Sequence, residues 1–184
     1  MSIDLEKLDG IGIITINRPE RKNAFTRSQY EDLASALRDI DADDSVHVAI
    51  LTGAGGAFSS GQDLKEMAEM ATAVASGTPA STQPGGFTVL LDGLETFSKP
   101  LIAAVEGYAV AGGTEILQAT HLRVAGESAT FGVFEAKRGL FPVGGSTVRL
   151  QRQIGYTNAL EMLLTARGYT AAEAKEIGLI GHVV

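Results

Sequence analysis

The sequence predicts an α/β fold on three observations. Strand-like apolar runs alternate with segments of helical periodicity, glycine-rich turns stand directly after such runs, and one aliphatic run suits a strand covered on both faces. Ile3 to Leu8 and Ile11 to Ile16 flank Asp9-Gly10, a dipeptide that supplies the positive-φ pair of a tight hairpin turn. Thr26 with Gln29 three residues later is a capping-box signature, and Tyr30, Leu33, Ala34, Leu37 and Ile40 follow at helical spacing, which predicts a helix over 27–41. Val46 to Leu51 is almost continuously apolar and reads as a central parallel strand. Ala71 to Gly86 is rich in Ala, Ser, Gly, Thr and Pro without periodicity, so a mobile loop, a possible lid, is expected there after a short helix. Phe87, Leu90, Leu91, Leu94 and Phe97 restore the helical period until Lys99-Pro100, and Leu101 to Val105 follows as a strand. A short strand over 122–125 comes next, then helices through Arg149 to Ile154, around Ala159 to Ala166, and from a Thr170 cap with Glu173. Leu179 to Val184 closes the chain as a strand-like run. Right-handed crossovers should connect the parallel strands.

A chain of 184 residues with 45% hydrophobic and 20% charged positions can bury one core, so a single domain over 1–184 is expected. The 22 acidic residues outnumber 15 basic ones, giving a net charge of −7, and that surplus opposes a broad nucleic-acid-binding surface. With no cysteine, the chain has no disulfide, no thiolate nucleophile and no cysteine-based zinc site. His47, His121 and His182 stand far apart, which leaves no ligand-spaced histidine pair and no expected metal. The start Met1-Ser2-Ile3-Asp4 lacks the order of a secretory signal, and no apolar run approaches the roughly 20 residues that span a bilayer. A cytoplasmic protein without a membrane partner is the expectation.

The 22 glycines cluster where chemistry is to be sought. Leu51-Thr52-Gly53-Ala54-Gly55-Gly56-Ala57-Phe58-Ser59-Ser60-Gly61-Gln62-Asp63-Leu64 runs from a strand through glycines into a helix. Val105-Glu106-Gly107-Tyr108-Ala109-Val110-Ala111-Gly112-Gly113-Thr114-Glu115 does the same. Amides at such helix starts are unpaired and lie at the positive end of the dipole, so two that converge would make an oxyanion hole. A glycine-rich loop alone is usually a turn. Neither stretch ends in Gly-Lys-Ser/Thr, none has the Gly-x-Ser-x-Gly elbow that would make Ser59 or Ser60 a nucleophile, and Gly10-Ile11-Gly12 lacks the third glycine of a dinucleotide site. Glu115, three residues after Gly112, should project from the first helical turn beside the exposed amide. Glu135, within Phe131-Gly132-Val133-Phe134-Glu135-Ala136-Lys137, has bulky apolar neighbours that would raise its pKa and suit a proton donor. Either glutamate alone would more often be a solvated helix-end residue.

Taken together, several segments resemble the enoyl-CoA hydratase/isomerase, or crotonase, family. These are Ile16-Asn17-Arg18-Pro19 with Asn23-Ala24, Ala57 to Leu64, Gly107 to Glu115, Phe131 to Glu135, and Gly139-Leu140-Phe141-Pro142, in the family's order and spacing over essentially the whole chain. The resemblance implies a crotonase-like spiral of ββα units and an oxyanion hole made by the backbone N–H groups of Gln62 and Gly112. It implies that Glu115 and Glu135 orient and activate water, Glu135 exchanging a proton with the α-carbon. Asn23, Ala24, Ala57, Ser59, Ser60, Gly61, Gln62, Asp63, Leu64, Gly112 and Gly113 would line the substrate and CoA groove, with Arg21 or Lys22 for the phosphates. Phe134 stands where the family typically carries proline, and Val133 where a polar residue is common. Family members continue past the position of Val184 with a further helical segment, so that region is expected to be truncated.

The implied activity is hydration of a 2-enoyl-CoA in fatty-acid or related acyl-CoA breakdown, such as β-oxidation. It needs no metal or nicotinamide, CoA being part of the substrate, and the assembly would be a homotrimer or a dimer of trimers. The alternatives are an enoyl-CoA isomerase that shuttles a proton chiefly on Glu135, and a non-catalytic acyl-CoA-binding protein. The presence of both glutamates favours hydration.

Overall fold

Asp9 and Gly10 both take positive φ (49° and 81°), and so β1 (Ile3–Leu8) and β2 (Ile11–Ile16) pair antiparallel with Ile3 opposite Ile16. This is a computed structural model that describes residues 2–77 and 86–184. After a 3-10 turn at Pro19–Arg21, α1 (Arg27–Asp41) opens on the full capping box: Thr26 accepts from the Gln29 amide, and the Gln29 side chain takes the Thr26 amide at 3.0 Å. The apolar face of α1 buries Tyr30, Leu33, Leu37 and Ile40, packing on the helix over 87–96 and on β1 and β2. β3 (Val48–Gly53) then lies parallel to β2, with Ala49 and Leu51 fully buried.

α2 spans Leu64–Ala75, α3 spans Phe87–Thr96, and β4 (Leu101–Val105) joins the sheet parallel to β3. The stretch expected to be a loop from Ala71 is therefore helical as far as Ala75. Alanine and methionine are strong helix formers that need no amphipathic period to continue a helix already capped at Asp63. The remainder of that expected loop, 78–85, lies outside the described residues. β5 (Tyr108–Val110) leads into α4 (Gly112–Gln118), and β6 (Leu122–Ala125) into β7 (Thr130–Gly132). A 3-10 turn at Glu135–Arg138, α5 (Ser146–Gln153), α6 (Tyr156–Thr165), β8 (Tyr169–Thr170), α7 (Ala171–Glu176) and β9 (His182–Val183) complete the chain. α7 starts on a second full capping box, Thr170 with Glu173. Only two residues of the expected Leu179 to Val184 run pair as strand; Leu179 and Ile180 are instead buried in the core.

Six strands form one sheet in the order β1-β2-β3-β4-β6-β9, parallel except for β1, and β5-β7-β8 form a second, smaller sheet. β4, β5 and α4 make one turn of a spiral, with one strand in each sheet before the helix. β3, the Ser59 bridge to Ala109, and α2 make the turn before it. This repetition brings the starts of α2 and α4 side by side. The small sheet was not legible from periodicity, because its strands are two or three residues long and glycine-flanked.

Candidate active site

The first glycine-rich loop is shaped from within by Asn23, which is fully buried. Its Oδ1 accepts the Arg18 amide at 2.8 Å, and its Nδ2 donates to the carbonyl oxygens of Ala54, at 2.9 Å, and Ala57. Buried Ser59 donates from Oγ to the Asn23 carbonyl at 2.9 Å and accepts the Gly61 amide at 3.0 Å. Phe25 N–H donates to Gly61 O, and Asp63 N–H to Phe25 O, both at 2.8 Å. The peptide between them is thereby held, and the Gln62 N–H has no acceptor among the described residues. Asp63 then caps α2, accepting the Lys65 amide at 2.9 Å, while its other oxygen meets Arg18 Nη1 at 2.7 Å. That guanidinium holds the Asp63 carboxyl below its ordinary pKa.

The second loop presents its amide through backbone strain. Ala111 adopts φ 51°, ψ −126°, a conformation that favours glycine and costs a side-chain residue about 1–3 kcal/mol. The Ala111 N–H is held by Gly132 O at 2.8 Å, and the following amide, Gly112 N–H, opens α4 without an acceptor among the described residues. Glycine is required at position 61, where φ is 85°, and at position 112 a side chain would close the gap. A Cβ on Gly61 would stand 2.7 Å from Gly112 N, and one on Gly112 would stand 3.6 Å from Gln62 N and 3.4 Å from Tyr30 Oη. Gly113 is equally constrained, since a Cβ there would overlap the Ser59 carbonyl.

Both amides border a cavity of about 650 Å³ that also takes in Glu115 and Glu135. Glu115 is 2% exposed on α4, and its Oε1 accepts the Gly144 amide at 2.8 Å and the Ser146 amide at 3.2 Å. Burial raises its pKa, against the opposing pull of those two amides and of Arg149. Glu135 sits half-buried in its 3-10 turn, with a buried Oε2 that has no partner among the described residues. Its pKa is pushed up to about 7, first by burial and then by the charge of Glu115. The direction expected from its apolar neighbours is the direction found.

The groove residues divide in two. Arg21, Ala24, Ser60, Gln62, Asp63, Leu64 and Gly112 border the cavity, whereas Lys22, Asn23, Ala57, Ser59, Gly61 and Gly113 do not line it. Asn23 and Ser59 have their polar atoms engaged inside the loop, and the Lys22 ammonium lies over the Tyr108 ring, 4.5 Å from its centre. The cavity also includes Tyr30, Met67, Phe87, Leu140, Phe141 and Val143, none of which was singled out as a site residue from sequence. Tyr30 and Phe87 were visible only as members of helical apolar faces, where period alone does not separate core from cavity. Among the described residues, no group of three or more His, Asp or Glu side chains could hold a metal ion. No helix there is long and apolar enough to cross a membrane.

Two sheets wound by ββα turns, with paired amides at adjoining helix starts, define the crotonase class of α/β folds. The family model described as enoyl-CoA hydratase/isomerase matches residues 6–184, and the chain belongs to that family. It is 53% identical over 172 residues to enoyl-CoA hydratase EchA19 of Mycobacterium tuberculosis, covering 94% of this chain and 64% of that protein. It is 39% identical to the mevalonyl-coenzyme A hydratase SIDH of Beauveria bassiana, over 94% of this chain and 62% of that one. A crystal structure of enoyl-CoA hydratase from Bacillus anthracis matches with a TM-score of 0.89 at 35% identity, covering all of this chain and 70% of the other. The chain thus spans just under two thirds of the length of these two curated relatives.

Proposed function

We propose that the protein adds water across the double bond of a 2-enoyl-CoA thioester. The observation that carries this reading is the pair of acceptor-free amides, Gln62 and Gly112, facing one cavity with two glutamates whose pKa values are both raised. The thioester oxygen sits between the two N–H groups, which polarise the conjugated double bond and then stabilise the enolate oxygen. Glu115 in its carboxylate form takes a proton from water as the new C–O bond forms at the β-carbon. Protonated Glu135 delivers its proton to the α-carbon as the enolate collapses, giving the 3-hydroxyacyl-CoA. Electrons and atoms balance without a redox step, so CoA enters only as part of the substrate. Arg21 borders the cavity, which supports a role for its guanidinium in meeting a CoA phosphate. The family resemblance supports a single domain over 1–184, a cytoplasmic setting in acyl-CoA breakdown and a homotrimer or dimer of trimers, an assembly that light scattering would test.

A spectrophotometric screen of 2-enoyl- and 3-enoyl-CoA thioesters tests the reading. Loss of enoyl absorbance with 2-enoyl substrates is expected. Glu115→Gln and Glu135→Gln should each lower kcat by about 10²-fold or more. Conversion of 3-enoyl substrates alone would replace hydration by isomerisation, and binding without turnover would leave a binding protein.

A further inference from the structure

Tyr30 places a phenol hydroxyl where the core would otherwise be apolar. The residue is 1% exposed, its ring is stacked on Phe25 with centroids 4.6 Å apart and tilted against Phe87 at 4.9 Å, and it borders the cavity. The ring is therefore locked, and so is the direction of its hydroxyl. Among the described residues the hydroxyl has no hydrogen-bond partner, and its oxygen is not one of the fully enclosed polar atoms, so it opens on the cavity that Tyr30 lines. A hydroxyl that reaches the cavity without a protein partner is free to bond whatever fills it. A Cβ placed on Gly112 would be 3.4 Å from Tyr30 Oη and 3.6 Å from Gln62 N, so the hydroxyl and the two free amides surround one small space.

Resting on the hydratase reading above, we propose that the Tyr30 hydroxyl is a third hydrogen-bond donor to the thioester oxygen, beside the amides of Gln62 and Gly112. The phenol stays protonated throughout, because burial and then the charges of Glu115, Glu66 and Glu135 all disfavour its anion. A neutral donor strengthens its bond as the carbonyl becomes an enolate, so its contribution falls on kcat rather than on substrate binding. The ring, by contrast, packs the end of the cavity in either state.

Tyr30→Phe keeps the ring and removes only the oxygen. It should lower kcat for a 2-enoyl-CoA by about 10- to 100-fold with KM within about threefold, while the denaturation midpoint stays near that of the parent. The second readout is the absorbance of a bound cinnamoyl-CoA, whose band moves to the red as its carbonyl is polarised. Tyr30→Phe should shrink that movement. An unchanged kcat overturns the proposal, and so does a lowered kcat with an intact spectral shift, which would assign the hydroxyl to the water or a glutamate. If the parent protein binds thioesters but hydrates none, the hydratase reading fails alone, since the spectral comparison still decides Tyr30. A parent that binds no thioester overturns both.

Discussion

At Glu135, the burial that suits a proton donor opposes stability. A carboxyl whose pKa is raised from 4.5 to about 7 by the fold binds its proton more tightly folded than unfolded. Its effect on stability therefore turns unfavourable as pH rises from the ordinary value through about 7. Glu135→Gln removes that penalty, and after allowance for the partly solvated position the variant should be about 1–2 kcal/mol more stable at pH 7.5, measured by urea unfolding, although inactive. The effect should shrink as pH falls from about 7 and vanish below about 4.5, where both states are protonated. The proposed activity depends on the same group in the opposite sense. The proposed hydration would require Glu135 protonated, so kcat/KM should fall as pH rises through about 7, with an acid limb as the Glu115 carboxylate is lost. Because the two acids face each other's charge, the limbs of that bell belong to the pair. A flat profile between about pH 5 and 9 would exclude Glu135 as the donor.

The elements show how an amide is aimed. The loop before α2 owes its shape to Asn23, which ties Arg18, Ala54 and Ala57 together, and the loop before α4 owes its shape to a strained Ala111. Asn23→Ala would leave two carbonyls and one amide without their partner. It should cost about 2–4 kcal/mol in urea unfolding and, at temperatures where the variant remains folded, reduce kcat by loosening the Gln62 peptide. Unchanged stability would show that the loop has another support. Legibility followed the same boundary. The hairpin, α1 and α7 could be read because a turn dipeptide or a capping box names its own geometry locally. Asn23 could be placed in the groove region but not recognised as the loop's internal clamp, since the two carbonyls it donates to lie 31 and 34 residues away. β5, β7 and β8 escaped for a similar reason: strands this short are defined by their neighbours.

In the whole molecule, the cavity opens along an apolar rim. Leu64 is 47% exposed, Leu140 43%, Phe141 70% and Val143 74%, and all four border the cavity with Phe87. Such a wall should bind longer acyl chains progressively, by at most about 0.8 kcal/mol for each methylene it covers. Phe141→Ser should weaken long-chain more than short-chain substrates, read as KM against chain length, and an equal change at every length would remove Phe141 from the acyl path. The sequence by itself determined the class of fold, the glycine-rich turns as the place of chemistry, and Glu115 and Glu135 as candidate acids. Periodicity, capping and burial by neighbouring residues are properties of short windows. Only the tertiary structure decided that Gln62 N–H and Gly112 N–H face one gap, that Lys22 lies over Tyr108, and that Tyr30 belongs to the cavity as well as to the core. Each of those facts joins segments about 50 to 90 residues apart, and a spiral brings such segments together through its pitch and sheet pairing, quantities that no local pattern encodes.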